Sequence, residues 1–198
     1  MQICGVILAG GKSSRMGKNK ALLDINGKPV IEIIKSELST CTDQVIIISN
    51  QPEEYQFLQV PIYSDRYPGE GPLAGIESAL YHVDTEWFFI TACDMPFIQA
   101  DVFQYLYEQS SGYDAVVPIY EGQIHPLSSL YHRSVLPVIQ QQLNKQQRQV
   151  KSFFDLICVN YVKDFNLPKT ILDRHFFNMN RPEEYQQAKS ISLQIDKS

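Results

Sequence analysis

The stretch that decides the fold is Ile3-Cys4-Gly5-Val6-Ile7-Leu8-Ala9-Gly10-Gly11-Lys12-Ser13-Ser14-Arg15-Met16-Gly17-Lys18-Asn19-Lys20-Ala21-Leu22-Leu23. An apolar run, Ile3–Ala9, feeds directly into a loop with two adjacent glycines, two serines, a third glycine and four basic residues. Such a run reads as a buried strand. Adjacent glycines let a backbone approach a ligand closely, and successive N–H groups in such a turn form a concave nest for anionic oxygens. Arg15 and Lys20 add full positive charge, so the loop is suited to a nucleoside triphosphate. Gly11-Lys12-Ser13 mimics the end of a Walker A loop. That motif needs a glycine five residues before Gly11, where Val6 stands, so the P-loop reading is rejected.

Working outward, apolar runs alternate with helical patterns. Strands are expected at Ile3–Ala9, Gln44–Ser49, Val60–Tyr63, Trp87–Thr91, Ala115–Pro118 and Cys158–Val162. Helices are expected at Val30–Thr40, Leu73–His82, Ala100–Gln109, Val135–Lys145 and Pro182–Ile191. The first four strands are almost continuously apolar, which implies burial on both faces. The expectation is a single-domain α/β protein, Rossmann-like and doubly wound, with a mostly parallel sheet and helices on both faces. The domain spans residues 1–191, with 192–198 a frayed tail. In such sheets ligands bind at the carboxyl ends of the strands. Gly10–Lys20, Ser49 and Asn50, Asp65, and Asp94 follow the first four strands in turn, so four loops converge on one crevice.

The 198 residues can bury a sizeable core, and 44% are hydrophobic, which argues against disorder. A net charge of −5 argues against broad nucleic-acid or membrane-surface binding. The four cysteines include no C-x-x-C pair, so a zinc site is not expected. Three sit in or beside apolar runs, where cysteine behaves as a small hydrophobe, and a reducing cytoplasm fits best. Neither a signal peptide nor a membrane span is read in the sequence.

Chemistry concentrates in a few segments. In Thr91-Ala92-Cys93-Asp94-Met95-Pro96, Asp94 lies at a strand end inside the crevice, suited to Mg²⁺, which prefers carboxylate, water and phosphate oxygens. A turn or helix-capping aspartate is the plainer alternative. Asp65 opens a loop that runs through Gly69, Gly71 and Pro72 to Gly75, where a small residue permits close packing or close ligand approach. Asp65 reads equally as a surface-turn residue. Ser49 and Asn50 could bond a base or ribose, or cap a helix begun by Pro52-Glu53-Glu54. His125, after a turn at Glu121-Gly122, could face the second substrate, with a structural role as the alternative; Arg148 and Lys151 form a basic patch that could receive a phosphate, with a solvated surface as the alternative.

The opening run resembles the nucleotidyltransferase signature L-A-G-G-x-S-x-R-M-G-x-x-K-x-L-L at every fixed position. C-D-x-P at residues 93–96 and G-P-L-A-G at residues 71–75 resemble the same family. Asn178-Met179-Asn180-Arg181-Pro182-Glu183-Glu184 is similar to the N-x-N-T-P-E-E element of molybdenum cofactor guanylyltransferases, with Arg181 in place of threonine. Together these motifs span nearly the whole chain. The resemblance implies transfer of GMP from GTP to molybdenum-bound molybdopterin, with Mg²⁺ as cofactor. It implies catalytic roles for Arg15, Lys20 and Asp94, with Asp94 holding the metal. It implies binding roles for Leu8, Ala9, Gly10, Gly11, Lys20, Asn50, Asp65, Gly75, Asp94, Asn178 and Asn180, and transient contact with molybdoenzymes or other cofactor-synthesis proteins. Two alternatives stand beside it: a cytidylyltransferase acting on molybdopterin or a small sugar-alcohol phosphate, and a non-catalytic nucleotide-binding adaptor.

Overall fold

A computed structural model describes residues 2–10 and 19–195. Gly11 and Arg15 lie outside the described residues. The strands are β1 (Ile3–Leu8), β2 (Asp24–Ile25), β3 (Lys28–Pro29), β4 (Gln44–Ile48), β5 (Ile62–Tyr63), β6 (Trp87–Ala92), β7 (Ala115–Tyr120), β8 (Gln123–Ile124), β9 (Ser128–His132) and β10 (Val159–Val162). The helices are α1 (Val30–Leu38), α2 (Pro72–His82), α3 (Ala100–Glu108), α4 (Leu136–Asn144), α5 (Lys169–His175) and α6 (Pro182–Ile195). The main sheet has the order β10-β7-β9-β6-β1-β4-β5, with β8 beside β7. β1 pairs in parallel with both β4 and β6, β4 with β5, and β7 with β10. β9 is antiparallel to both β6 and β7, so β6 and β7 point the same way.

Alternation along each strand divides the core into two layers. Ile7, Ile47, Phe89, Val116 and Leu130 face α1 and α3, and are continuous with residues of α5 and α6. Val6, Ile46, Phe88, Val117 and Tyr131 face α2 and α4. A strand buried on both faces has no polar side to display, which is why these runs are apolar throughout. The expected α/β class, with helices on both faces of a mostly parallel sheet, is the observed one.

Several boundaries differ from expectation. β9 was not anticipated, because Ser128-Ser129-Leu130-Tyr131-His132 opens on two polar residues. Both serines are fully buried and bonded: Ser129 Oγ donates to the His125 carbonyl (2.7 Å), and Ser128 Oγ lies 2.6 Å from His175 Nε2. The third strand shrinks to Ile62–Tyr63, since Pro61 has no N–H for a ladder and contributes its carbonyl to the Ile47 N–H (3.0 Å) instead. Residues 192–195, expected to fray, continue α6. Asn26 Nδ2 donates to Ser192 Oγ (2.9 Å), and Tyr185 donates to the Asp24 carbonyl (2.7 Å), tying the helix to the β2–β3 hairpin.

His175 is enclosed by Phe103, Phe176 and Ser128. Its Nδ1 accepts from the Gln99 N–H at 2.9 Å, which places the proton on Nε2, facing Ser128. Burial pushes its pKa down to about 3. The unfolded chain therefore takes up a proton that the folded chain refuses. The neutral ring's contribution is complete above the unfolded value of about 6.5, and drains away as pH falls toward the folded value. The stability advantage of the wild type over His175→Gln is expected to shrink by about 1.4 kcal/mol for each pH unit below that point. Denaturant titrations at pH 7 and pH 5 check this, and parallel losses in the two proteins would contradict it.

Candidate active site

The carboxyl ends of β1, β4, β5 and β6 lie side by side, as the topology requires, and bring Gly10, Asn50, Asp65 and Asp94, which follow them, to one edge of the sheet. After residues 11–18, the described chain resumes at Asn19. Asn19 Oδ1 accepts from the Ala21 N–H (3.1 Å) and caps a short 3₁₀ turn, Lys20–Leu22. Asn19 Nδ2 donates to Tyr55 Oη (2.8 Å) and Glu54 Oε2 (2.5 Å). Tyr55 is buried, and its hydroxyl also reaches the Ala9 carbonyl (3.5 Å). The two ends of the glycine loop are thus clamped through one tyrosine. Tyr55 and Asn19 were not anticipated. Tyr55 sits in a 3₁₀ segment, Pro52–Leu58, where its spacing reads as ordinary core.

The Asn19 cap sets the position of Lys20. Lys20 Nζ donates to Asn180 Oδ1 (2.8 Å), and Asn180 Nδ2 donates to Asn178 Oδ1 (2.9 Å). Between them, the Met179 N–H donates to the Asp94 carbonyl (2.8 Å), pinning this element to the end of β6. Lys20, Asp94, Asn178 and Asn180 therefore meet in one place, although their sequence numbers differ by up to 160. Arg181 replaces the expected capping threonine, and Glu184 does the capping instead. Its Oε2 accepts from the Arg181 N–H (2.8 Å) and from the Asn180 N–H. This is the carboxylate half of a capping box working alone.

Asp94 is half-buried, and burial raises its pKa above the usual carboxylate range. Lys20 works against that rise and Glu184 adds to it. A carboxylate in this position is stabilised by added positive charge. Mg²⁺ needs only one or two protein carboxylates when phosphate oxygens and water complete its shell, so this donor fits that ion. Among the described residues, no group of three or more His, Cys, Asp or Glu is arranged to hold a metal. Cys93 is inert beside it, because burial pushes its thiol up to about 12.

A second group flanks the other side of β1. Asn50 Oδ1 accepts from the Asp65 N–H (3.0 Å), and Asp65 Oδ1 accepts from the Tyr67 N–H (2.8 Å) and from Ser78 Oγ (3.4 Å). Asp65 is raised above the usual carboxylate range by burial, which these bonds partly offset. Ser49 Oγ accepts from the Gln51 N–H (3.1 Å), so Ser49 and not Asn50 supports the following turn. Gly75 is buried against β1: a Cβ there would meet Leu8 Cδ2 at 3.1 Å. Close packing of α2 on Leu8 is thus one use of this glycine. The Ala9 N–H is committed to the Ile48 carbonyl (3.0 Å), so only part of the Leu8–Gly10 backbone can face a base. Arg148 is paired with Glu70, its Nη2 donating to Oε1 at 2.9 Å.

A mostly parallel sheet whose strand ends gather a lysine, a half-buried aspartate and two asparagines is the frame of a nucleotide-handling α/β enzyme. The chain belongs to the MobA-like NTP transferase family, whose domain model matches residues 5–160. A relative from Carboxydothermus hydrogenoformans, named a probable molybdenum cofactor guanylyltransferase, is 39% identical over 186 residues, covering 93% of this chain and 94% of its own. One of the same name from Bacillus cereus is 38% identical over 191 residues, covering 93% and 94%. The crystal structure of molybdopterin-guanine dinucleotide biosynthesis protein A from Archaeoglobus fulgidus superposes with a TM-score of 0.83 at 25% identity, covering 96% of this chain and 99% of that one. The resemblance read from the motifs is therefore the family that the comparisons show.

Asn19→Ala removes the cap and the bond to Tyr55. It is expected to lower unfolding free energy by about 1–2 kcal/mol in denaturant titrations. By loosening Lys20, it is also expected to raise the KM for the nucleoside triphosphate. An unchanged KM would show that the cap does not position the lysine.

Proposed function

We propose that the chain transfers GMP from GTP to the terminal phosphate of molybdenum-bound molybdopterin, forming the guanine dinucleotide and pyrophosphate. The observation that carries this reading is the Lys20–Asn180 bond beside Asp94. It joins the end of the glycine loop, suited to a triphosphate, to the asparagine element that the resemblance places on the acceptor side.

The acceptor phosphate oxygen attacks the α-phosphorus of GTP. A P–O bond forms to that oxygen, the bond to the β-bridging oxygen breaks, and the electron pair leaves on pyrophosphate. A phosphate monoester is already a competent nucleophile, so no strong general base is needed. The protein's task is alignment and neutralisation of charge. Gly10 and Gly11 supply backbone donors, and Arg15 and Lys20 neutralise the triphosphate and the departing pyrophosphate. Asn178 and Asn180 orient the acceptor. Asn50 and Asp65, already bonded to each other, present the nucleoside side of the crevice, with Leu8, Ala9 and Gly75 forming its floor. Asp94 is the residue to hold Mg²⁺, which would neutralise phosphate charge and bring the two substrates together. The domain runs through α6, which extends to Ile195. No helix among the described residues is long and apolar enough to cross a membrane. The cytoplasm is the proposed location, and molybdoenzymes or other cofactor-synthesis proteins are the proposed transient partners.

Incubation with GTP, Mg²⁺ and molybdopterin cofactor is expected to yield the guanine dinucleotide, detected by mass, together with pyrophosphate. Lys20→Ala and Asp94→Ala are each expected to cut turnover by roughly two to three orders of magnitude with unchanged circular dichroism. Turnover with CTP alone would replace this reading with the cytidylyl one. Tight GTP binding with no product from an authentic acceptor would favour an adaptor. Full activity of folded Asp94→Ala would remove the metal assignment.

A further inference from the structure

A cavity of about 300 Å³ opens beside the crevice, at the carboxyl end of β7. Tyr120, His125, Phe176 and Phe177 line it, and Glu121 and Gln123 stand on the hairpin that borders it. Its volume is at the lower end of small-molecule sites, suited to a two-ring heterocycle.

The walls are rigid. The Tyr120 and Phe176 rings stack at 4.8 Å with planes 19° apart, and the His125 ring lies 4.5 Å from Phe176. The Tyr120 hydroxyl is bonded to Asp173, whose Oδ1 also accepts from Lys169 Nζ at 2.6 Å. The His125 backbone is fixed on both sides: its N–H donates to the Pro118 carbonyl (3.0 Å), and its own carbonyl accepts from Ser128 and Ser129. Burial lowers the pKa of His125, which favours a neutral ring with one donor and one acceptor. Aromatic faces, an imidazole, an amide and the carboxylates of Glu121 and Asp173 suit a flat, uncharged ring with hydrogen-bonding edges. Lys169, whose Nζ lies 2.6 Å from Asp173 and 3.7 Å from Glu121, is already balanced by those two carboxylates.

The cavity lies at the same edge of the sheet as the reacting groups. β7 runs parallel to β6 with only β9 between them, so Tyr120 lies at the same sheet edge as Asp94, about 10 Å across at the usual strand spacing. Phe177 adjoins Asn178, which bonds Asn180, which bonds Lys20. A ligand with its ring in the cavity can therefore run its phosphate along residues 178–180 to the lysine.

Resting on the guanylyl-transfer reading, we propose that this cavity holds the pterin ring of the acceptor. The aromatic walls take its faces. Glu121, whose Oε1 lies 3.7 Å from Lys169 Nζ, matches the adjacent N–H donors of its 2-amino-4-oxo edge, as a carboxylate can accept two parallel bonds. Guanine carries the same edge, so the donor base is the competing occupant.

The test is fluorescence titration of 6-hydroxymethylpterin with the full-length protein, with guanosine as competitor, alongside steady-state kinetics with authentic acceptor. Wild type is expected to quench the pterin, and equal guanosine is expected not to displace it. Glu121→Gln, on an exposed turn, and Phe177→Ala are each expected to weaken quenching roughly tenfold. They are expected to raise the acceptor KM by a similar factor while the GTP KM stays within about twofold. Absent quenching by wild type, equal binding by the variants, or displacement by guanosine would overturn the assignment. Quenching needs no turnover, so pterin binding here without GMP transfer refutes only the guanylyl reading. Turnover with an unchanged acceptor KM in both variants refutes only the pocket.

Discussion

Asp94 is held half out of water at the end of β6, and Lys20 is held close by through Asn180. The rest of the structure serves to keep this pair in place. Burial makes the carboxylate costly to ionise, and the ammonium lowers that cost. The same two groups would meet the charge of a triphosphate from opposite signs, one directly and one through a cation. Neither residue lies on a flexible tether: Asn19 and Tyr55 clamp the chain before Lys20, and Met179 ties the 178–180 element to the Asp94 carbonyl.

The fold makes this geometry inexpensive. Parallel strands leave their carboxyl ends together, so loops distant in sequence share one edge without special connections. The insertion of β9 between β6 and β7 then widens that edge. It brings in the β7–β8 hairpin and the aromatic cluster around Phe176, and its two buried serines are bonded to His125 and His175. The antiparallel strand thus stands between the end of β6, where Asp94 lies, and the aromatic cluster around β7.

The sequence made the parallel half of this architecture readable because β1, β4 and β6 are buried on both faces and carry no polar interruptions. The nearness of Lys20, Asp94 and Asn180 was readable for a different reason: each follows or adjoins a strand end or helix start that a parallel sheet gathers at one edge. What stayed hidden was whatever depended on a tertiary partner. Ser128 and Ser129 look like loop residues until their buried acceptors are known. Tyr55 looks like core until its hydroxyl is seen bridging Asn19 and Ala9. Glu184 could replace the missing threonine cap only through a bond formed after α6 docks. Asn26-Gly27, with both residues at positive φ, is a strong two-residue hairpin pattern, and it announces β2–β3.

The most direct measurement is a crystal structure of the protein with GTP and Mg²⁺. The account predicts triphosphate oxygens within hydrogen-bond reach of Lys20 Nζ, and Mg²⁺ bridging those oxygens to the Asp94 carboxylate. A nucleotide seated away from the end of β1, or a metal bound without Asp94, would contradict it.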